Sequence, residues 1–326
     1  MIITSTPYRI SFFGGGTDYP AWYCQHGGAV LSTTIDRYCN IQVRDLPPFF
    51  DHKYRVVWSK IETPSRLSDI EHPSVREAIR FTGLEQGLEI HHFGDLPARS
   101  GLGSSSSFTV GILNALNALN GKMASRKELA MSAIHLEQEI IREDVGIQDQ
   151  IATAYGGFNR IDIEKDGTFI VQPVPVPADR LALLEKHLVL VFTGVSRTAS
   201  LIAKRKIAAL ASKQTVLKRL SAMVDDGIDI LMNDRDIRLF GELLREGWEL
   251  KRSITPEITT TIVDDLYETA TNSGAIGGKL LGAGGGGFML LFIEPDKRSD
   301  LIDALGDYLT IPFKFERSGS RISLSD

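Results

Sequence analysis

"LPARSGLGSSSS", Leu96 to Ser107, places a proline, an arginine and two glycines ahead of four serines, and an apolar helical pattern follows. The β-rich "LEIHHFGDLP" precedes it, so the stretch reads as a loop between a strand and a helix. The first N–H groups of a helix have no partner within it, and together with the helix dipole they favour an anion. Glycines let the backbone approach phosphate oxygens, and serine hydroxyls can donate to phosphate or ligate a divalent cation. An ordinary serine N-cap with small neighbours is the competing reading. The lysine of a GxxxxGK[ST] loop is missing. Positive charge must then come from elsewhere, most simply from a metal ion.

A carboxylate for such an ion is found on the next helix. It is expected from Ser125, an N-cap with Glu128 three residues on, to about Asp144. Wound at 100° per residue, Leu129, Ala130, Ala133, Ile134, Leu136, Ile140 and Ile141 share one apolar arc, and Glu137 falls inside it. A carboxylate there must be paired, protonated or bound to a cation. A buried Glu–Arg pair would satisfy it equally. Asp149, in "VGIQDQIATAYGG", sits at a loop-to-helix junction, where it is either an N-cap or the carboxylate that phosphoryl transfer places beside an acceptor hydroxyl. In "PYRISFFGGGTDYP" strand alternation puts Arg9 and Ser11 on one face and Ile10 and Phe12 on the other. Arg9 can reach whatever approaches the triple-glycine turn, and Asp18 is a short acceptor on it. Taken singly, these are a surface arginine and a turn aspartate.

With 326 residues the chain is long enough for two domains, and 43% hydrophobic with 24% charged residues is an ordinary globular balance. A net charge of −5 gives no general attraction to nucleic acid or to an anionic membrane. Cys24 and Cys39 form no CxxC and exclude a disulfide scaffold, which fits a reducing compartment. The opening "MIITSTPYRI" has no charged n-region or long apolar h-region, so no signal peptide is expected, and no apolar run approaches the roughly 20 residues of a membrane span. A cytoplasmic protein with neither nucleic-acid nor membrane partners is expected. Further strands are expected in "GGAVLSTTIDRYCNIQVRDL", "YRVVWSKIE" and "HLVLVFTG", and a hairpin turning at Asp166-Gly167. Long helical patterns fill Ser196 to Ser253, another helix ends near Ser273, and a glycine-rich loop then enters a buried strand. Strands and helices mix without regular alternation, which indicates an α+β fold. The proline-spaced "QPVPVPADR" is the candidate boundary between domains 1–178 and 179–326, and it reads equally as a short extended loop.

Three blocks, "TPYRISFFGGGTDYP", "LPARSGLGSSSSFTVG" and "GGKLLGAGGGGF", resemble in order the GHMP kinases (galacto-, homoserine, mevalonate and phosphomevalonate kinases). "GGAVLSTTIDRY", "GIQDQIATAYGGFNRID" and "FTGVSRTAS" extend the likeness over nearly the whole chain. Within the family the blocks are most similar to bacterial D-glycero-D-manno-heptose 7-phosphate 1-kinases, and kinases for fucose and related sugars are more distant.

The resemblance implies a two-domain α+β fold, with ATP and the acceptor meeting in a cleft between domains. It implies ATP and Mg²⁺ as cofactors and a sugar phosphate as the small-molecule partner, and it leaves a homodimer open. The phosphate loop would comprise Pro97, Arg99, Ser100, Gly101, Leu102, Gly103, Ser104, Ser105 and Ser106. Ser105 and Glu137 would hold Mg²⁺. Ser106 and Ser107 stand where many members have alanine, so the choice of serine stays open. Asp149 aligns with the catalytic carboxylate and Arg9 with the cation that stabilises charge in transfer. Gly15, Gly16, Thr17 and Asp18 would meet the sugar, as would Gly284 and Gly285 in the third glycine loop, Gly282–Gly287. A remote phosphate on the acceptor needs a second anion site, for which Arg197 is the candidate and Lys279 the alternative. A kinase for an unphosphorylated sugar, or a sugar- or ATP-binding sensor without turnover, would use the same fold.

Overall fold

The structure, a computed structural model, describes residues 1–195, 205, 207–210 and 212–325. Strands β1 (Ile2–Phe13) and β2 (Gly28–Asp45) form a long antiparallel ribbon, with register shifts after Pro7 and Ser11. β2 is 18 residues long, and its other edge is divided among three strands. β6 (Asn159–Ile163) takes the start, β12 (Phe315–Glu316) the middle and β5 (Leu88–Gly94) the end. β3 (Tyr54–Val57) runs parallel to β5 and carries β4 (Ile61–Glu62) beyond it. β7 (Phe169–Pro173) forms the expected hairpin with β6, and β13 (Arg321–Ser325) covers the outer edge of β1.

Helix α1 (Pro20–His26) follows β1, and α2 (Pro73–Thr82) precedes β5. Helix α3 (Ser104–Leu119) lies across β1 and β2 and packs against α2, α4 (Arg126–His135) and α5 (Gln148–Tyr155). Its approach is close because Gly111 has no side chain, and Thr4 Oγ1 donates to the Gly111 carbonyl at 3.0 Å. The second sheet runs in the order β11 (Thr310–Ile311), β8 (Leu188–Phe192), β10 (Phe288–Phe292) and β9 (Gly277–Leu280). Around it lie α6 (Ala178–His187), α7 (Gln214–Met232), α8 (Arg238–Arg252), α9 (Thr261–Asn272) and α10 (Arg298–Leu305). Every ladder but β3–β5 is antiparallel, so the fold is α+β, as expected. Among the described residues no helix is long and apolar enough to cross a membrane.

Two features depart from the sequence reading. The helix expected over 125–144 has its capping box at Ser125 and Glu128 but becomes a π-helical turn over Leu136–Ile141. Leu129, Ala130, Ala133, Leu136 and Glu137 are buried, as the α period requires. The wider turn then rotates Ile140 outward to 37% exposure and leaves Ile141 only partly covered. The second departure is the end of the chain. β12 and β13 return to the first sheet, where two-residue β12 is too short for a pattern to be read locally. The boundary expected after residue 178 falls at the start of α6, and the segment beyond it contributes strands to both sheets.

The two sheets share one core, and aromatic rings join them. Phe12 of β1 lies 5.4 Å from Phe240 of α8, edge to face, and 5.5 Å from Phe158. Phe13 meets the same Phe240 ring at 5.0 Å. Phe12 is almost fully buried. Phe12→Ala should therefore cost about 3–5 kcal/mol of stability, the range for a large aromatic deleted from a packed core. Urea unfolding followed by fluorescence would show the lowered midpoint, and a loss below about 1 kcal/mol would deny Phe12 that packing role.

Candidate active site

Between the two sheets opens a cleft of about 1030 Å³. The phosphate-loop stretch forms its floor. Gly103, left-handed at φ +74°, occupies the N-cap of α3, and no side chain caps the helix. The first-turn N–H groups are thus left to a ligand. The loop is held from both sides. Arg9 N–H of β1 donates to the Leu102 carbonyl at 3.0 Å, and Phe288 N–H of β10 donates to the Ser100 carbonyl at 3.0 Å. The third glycine loop lies directly on it. A Cβ on Gly282, itself at φ +73°, would stand 2.5 Å from Gly101 Cα, so only glycine permits the two backbones to touch.

Arg9 and Asp149 meet over this floor. Arg9 Nε donates to Asp149 Oδ1 at 2.7 Å and Nη2 to Oδ2 at 2.6 Å, a planar fork on a carboxylate. The remaining guanidinium nitrogen, Nη1, donates to the Gly101 carbonyl at 2.6 Å. Arg9 is buried, while Asp149 is about a quarter exposed and lines the cleft. Asp149 is no cap: Ile147 holds the N-cap position of α5, and Asp149 sits in its first turn.

Asp18 is buried beside them. Its Oδ1 accepts from Gly16 N–H at 2.9 Å and its Oδ2 from Gln148 Nε2 at 2.9 Å. Gln148 in turn accepts from Ser11 Oγ at 2.7 Å, so Ser11, Gln148 and Asp18 form a chain that ends in the cleft. Gly15 lines the cleft as well. Thr17 does not. Its hydroxyl donates to the carbonyls of Gly14 and Ala29, which braces the turn. Gly284 borders the cleft, whereas Gly285 is tied to Ile258 through its N–H, and Pro97, Ser100 and Leu102 lie outside the lining. Arg197 lies outside the described residues. Lys279 lines the cleft, with Nζ donating to the carbonyls of Ser11 and Phe12 at 3.0 and 2.6 Å.

The serine facing Glu137 is Ser106 and not Ser105. Ser106 Oγ donates to Glu137 Oε2 at 3.0 Å, whereas Ser105 is exposed at the cleft surface. The cause is helical geometry, which turns consecutive residues by about 100° and leaves one of them toward the carboxylate. Gln150 Nε2 also donates to Glu137. Glu137 is fully buried, and among the described residues its Oε1 has no hydrogen-bond partner. Burial, with the nearby Glu143 charge adding to it, pushes its carboxyl up to about 7 against the hydrogen bonds it receives. A buried, half-satisfied carboxylate beside a hydroxyl fits one hard divalent cation, with the remaining ligands supplied by phosphate and water. Among the described residues no cluster of three or more His, Cys, Asp or Glu side chains could hold a metal without such help.

Several parts of the site were not read from the sequence. Gln148 and Gln150 flank Asp149 in "QDQ", and that alternation of amide and acid was the available signal. An aromatic wall closes the end of the cleft beside the serines. His72 stacks on Phe108 at 4.6 Å, while Trp58 and His92 meet these rings edge-on at 4.9 and 5.1 Å. Burial pushes His72 down to about 4, so the stack is uncharged at neutral pH. Trp58 follows β3, His72 directly precedes α2, His92 lies in β5 and Phe108 in α3, and no local pattern unites them. Lys251 of α8 was also missed. Its Nζ donates to the carbonyls of Leu280 and Gly282, and the residue lines the cleft.

Comparison with known proteins agrees with this geometry. Residues 73–157 match the GHMP kinases N terminal domain and residues 230–310 the GHMP kinases C terminal. The chain is 30% identical to a D-glycero-alpha-D-manno-heptose 7-phosphate kinase of Campylobacter jejuni, over 93% of each chain. It is 26% identical to a galactokinase of Pyrococcus furiosus over 94% of each. Its fold superposes on a D-glycero-D-manno-heptose 1-phosphate kinase from Bacteroides thetaiotaomicron with a TM-score of 0.83 at 24% identity, over the full length of both chains. With both family domains and a relative at this identity along nearly its whole length, the chain belongs to the GHMP kinases and is a sugar kinase of that family.

Proposed function

We propose that the chain transfers the γ-phosphoryl group of ATP to the anomeric hydroxyl of D-glycero-D-manno-heptose 7-phosphate, giving the 1,7-bisphosphate. The observation that carries the transfer chemistry is the Arg9–Asp149 clasp, set over an uncapped helix N-terminus and a lysine-free phosphate loop. The choice of acceptor is supported by the heptose 7-phosphate kinase relative and by two buried ammonium groups, Lys251 and Lys279, that border the same cleft. A buried cation lining a cleft favours an anionic substrate.

In this reading the aromatic wall of Trp58, His72, His92 and Phe108 takes the base by stacking, and the glycine backbone with the first turn of α3 receives the phosphates. Ser106 and Glu137 would hold Mg²⁺, which neutralises charge on the triphosphate. Asp18, oriented by Gln148 and Gly16, fixes sugar hydroxyls near Asp149. Each Asp149 oxygen accepts one N–H from Arg9 and retains a further lone pair. The carboxylate is thereby held still for the acceptor hydroxyl, whose proton it receives or orients as the new P–O bond forms and the bond from the γ-phosphorus to the departing ADP breaks. Arg9, anchored to the Gly101 carbonyl, keeps a positive charge beside the transferring group.

Three outcomes test this reading. With ATP and Mg²⁺, kcat/KM on heptose 7-phosphate should exceed that on unphosphorylated heptose by about 10- to 150-fold, the value of one charge-assisted contact. Faster turnover of free fucose or galactose would instead assign the chain to an unphosphorylated sugar. Asp149→Asn should lower kcat by about 10²–10⁴-fold with little change in either KM. A variant within a few-fold of wild type would remove Asp149 from the chemistry. The third concerns Glu137, whose folded value near 7 lies above the ordinary 4.5. The folded state then binds more protons than the unfolded state between these values, so metal-free stability should fall as pH rises through that window, by up to about 3 kcal/mol. Thermal melts in chelator should show this slope for wild type and its loss in Glu137→Gln. An unchanged slope in the variant would mean that Glu137 is not the group responsible.

A further inference from the structure

Among the described residues two non-glycine positions hold a left-handed backbone, and both are arginines on the wall of the cleft: Arg99 at φ +60° and Arg142 at φ +63°. They reach it from different elements. Arg99 belongs to the phosphate loop, where its N–H donates to Ser104 Oγ at 3.0 Å and ties the residue to the first turn of α3. Arg142 closes the π-turn that carries Glu137, and its own N–H and that of Glu143 both turn back to the Glu137 carbonyl. Glycine takes this backbone freely, and a long L side chain takes it only under strain. Strain of this kind persists where the surroundings enforce it, and it concentrates at ligand sites.

Neither guanidinium is spent on the fold. Both residues are exposed and line the cleft, and neither forms an ion pair or a side-chain hydrogen bond with any described residue. Glu143 is the acid that feels Arg99, which draws its carboxyl back against the upward push of burial. The two arginines therefore bring uncommitted positive charge to the one wall of the cleft where a phosphate loop lacks its lysine. The planar fork of arginine suits phosphoryl oxygens, which it can grip with two hydrogen bonds.

We propose that Arg99 and Arg142 grip the nucleotide's polyphosphate from the phosphate loop and from the end of the Glu137 turn, replacing the lysine of other phosphate loops. The proposal rests on the reading of this cleft as an ATP site. It assigns the two arginines to the nucleotide and not to the acceptor, because both stand on the elements that carry the phosphate loop and Glu137.

Glycine substitution separates ligand binding from folding, since Arg99→Gly and Arg142→Gly keep the left-handed backbone and delete only the guanidinium. The binding of a fluorescent ATP analogue with Mg²⁺ should weaken about tenfold or more in each variant, and further in the double variant. The melting temperature should hold or rise. KM for the sugar acceptor should stay within about twofold, and the affinity of the double variant should depend less steeply on salt than that of wild type. Arg99→Lys should recover part of the binding lost in Arg99→Gly. Unchanged nucleotide affinity in the double variant would overturn the proposal, as would a loss confined to the acceptor KM. A wild-type protein that binds no nucleotide analogue would instead remove the ATP reading itself, and the two failures are distinguished by that control.

Discussion

The buried guanidinium of Arg9 is the point on which the site depends. Its backbone belongs to β1, its N–H holds the phosphate loop through Leu102, and its side chain holds the same loop through Gly101 and helix α5 through Asp149. Three elements far apart in sequence are thereby fixed within hydrogen-bond distance of one another. A buried arginine is costly unless every donor is directed, and breaking one half of such a pair leaves a charge without compensation, typically at about 3–5 kcal/mol. The same arrangement that makes the clasp costly to break makes Asp149 stationary, and a stationary carboxylate is what in-line transfer to a hydroxyl requires. Stability and chemistry thus draw on one interaction.

Around that clasp, glycines set the separation of the two sheets. The phosphate loop and the third glycine loop touch through backbone at Gly101 and Gly282, and Ser100 and Phe288 exchange a hydrogen bond across the same seam. Side chains there would hold the loops apart and open the floor of the cleft. Lys251 finishes the seam from α8 by sharing its ammonium between the carbonyls of Leu280 and Gly282. Further from the chemistry, Phe12, Phe13 and Phe240 bind the sheets through ring packing, which tolerates no large relative shift in a dense core. The acceptor chain of Ser11, Gln148 and Asp18 hangs from the strand that these rings immobilise.

The end of the chain adds a second brace. Ser320 N–H donates to the Thr153 carbonyl of α5, and Thr153 Oγ1 donates to the Asp149 carbonyl. Gly157 N–H donates to the Glu316 carbonyl just beyond the same helix. Helix α5 is therefore held at its cleft end by Arg9 and at its far end by the returning tail. A helix of 8 residues has little stability of its own, so the position of Asp149 is a tertiary property.

What the sequence determined by itself was whatever is encoded within one turn of helix or one run of strand. The strand–loop–helix at Leu96–Ser107, the capping box at Ser125 and Glu128, the alternation in β1 and the hairpin at Asp166-Gly167 depend on neighbours a few residues apart, and each was legible. The placement of Glu137 in an apolar stripe was legible for the same reason. Tertiary structure alone decided which serine faces it, because helix geometry turns Ser105 and Ser106 about 100° apart and only the way α3 sits on the sheet sets which of them points at Glu137. It also decided the π-turn that exposes Ile140, the aromatic wall assembled from four elements, and the left-handed arginines at 99 and 142. The strands of the tail belong with these, since two-residue β12 has no period to read and gains its partner from β2, about 280 positions away. Local pattern specifies elements through short-range sterics and burial, whereas a site is the meeting of side chains from different elements, and only packing fixes that meeting.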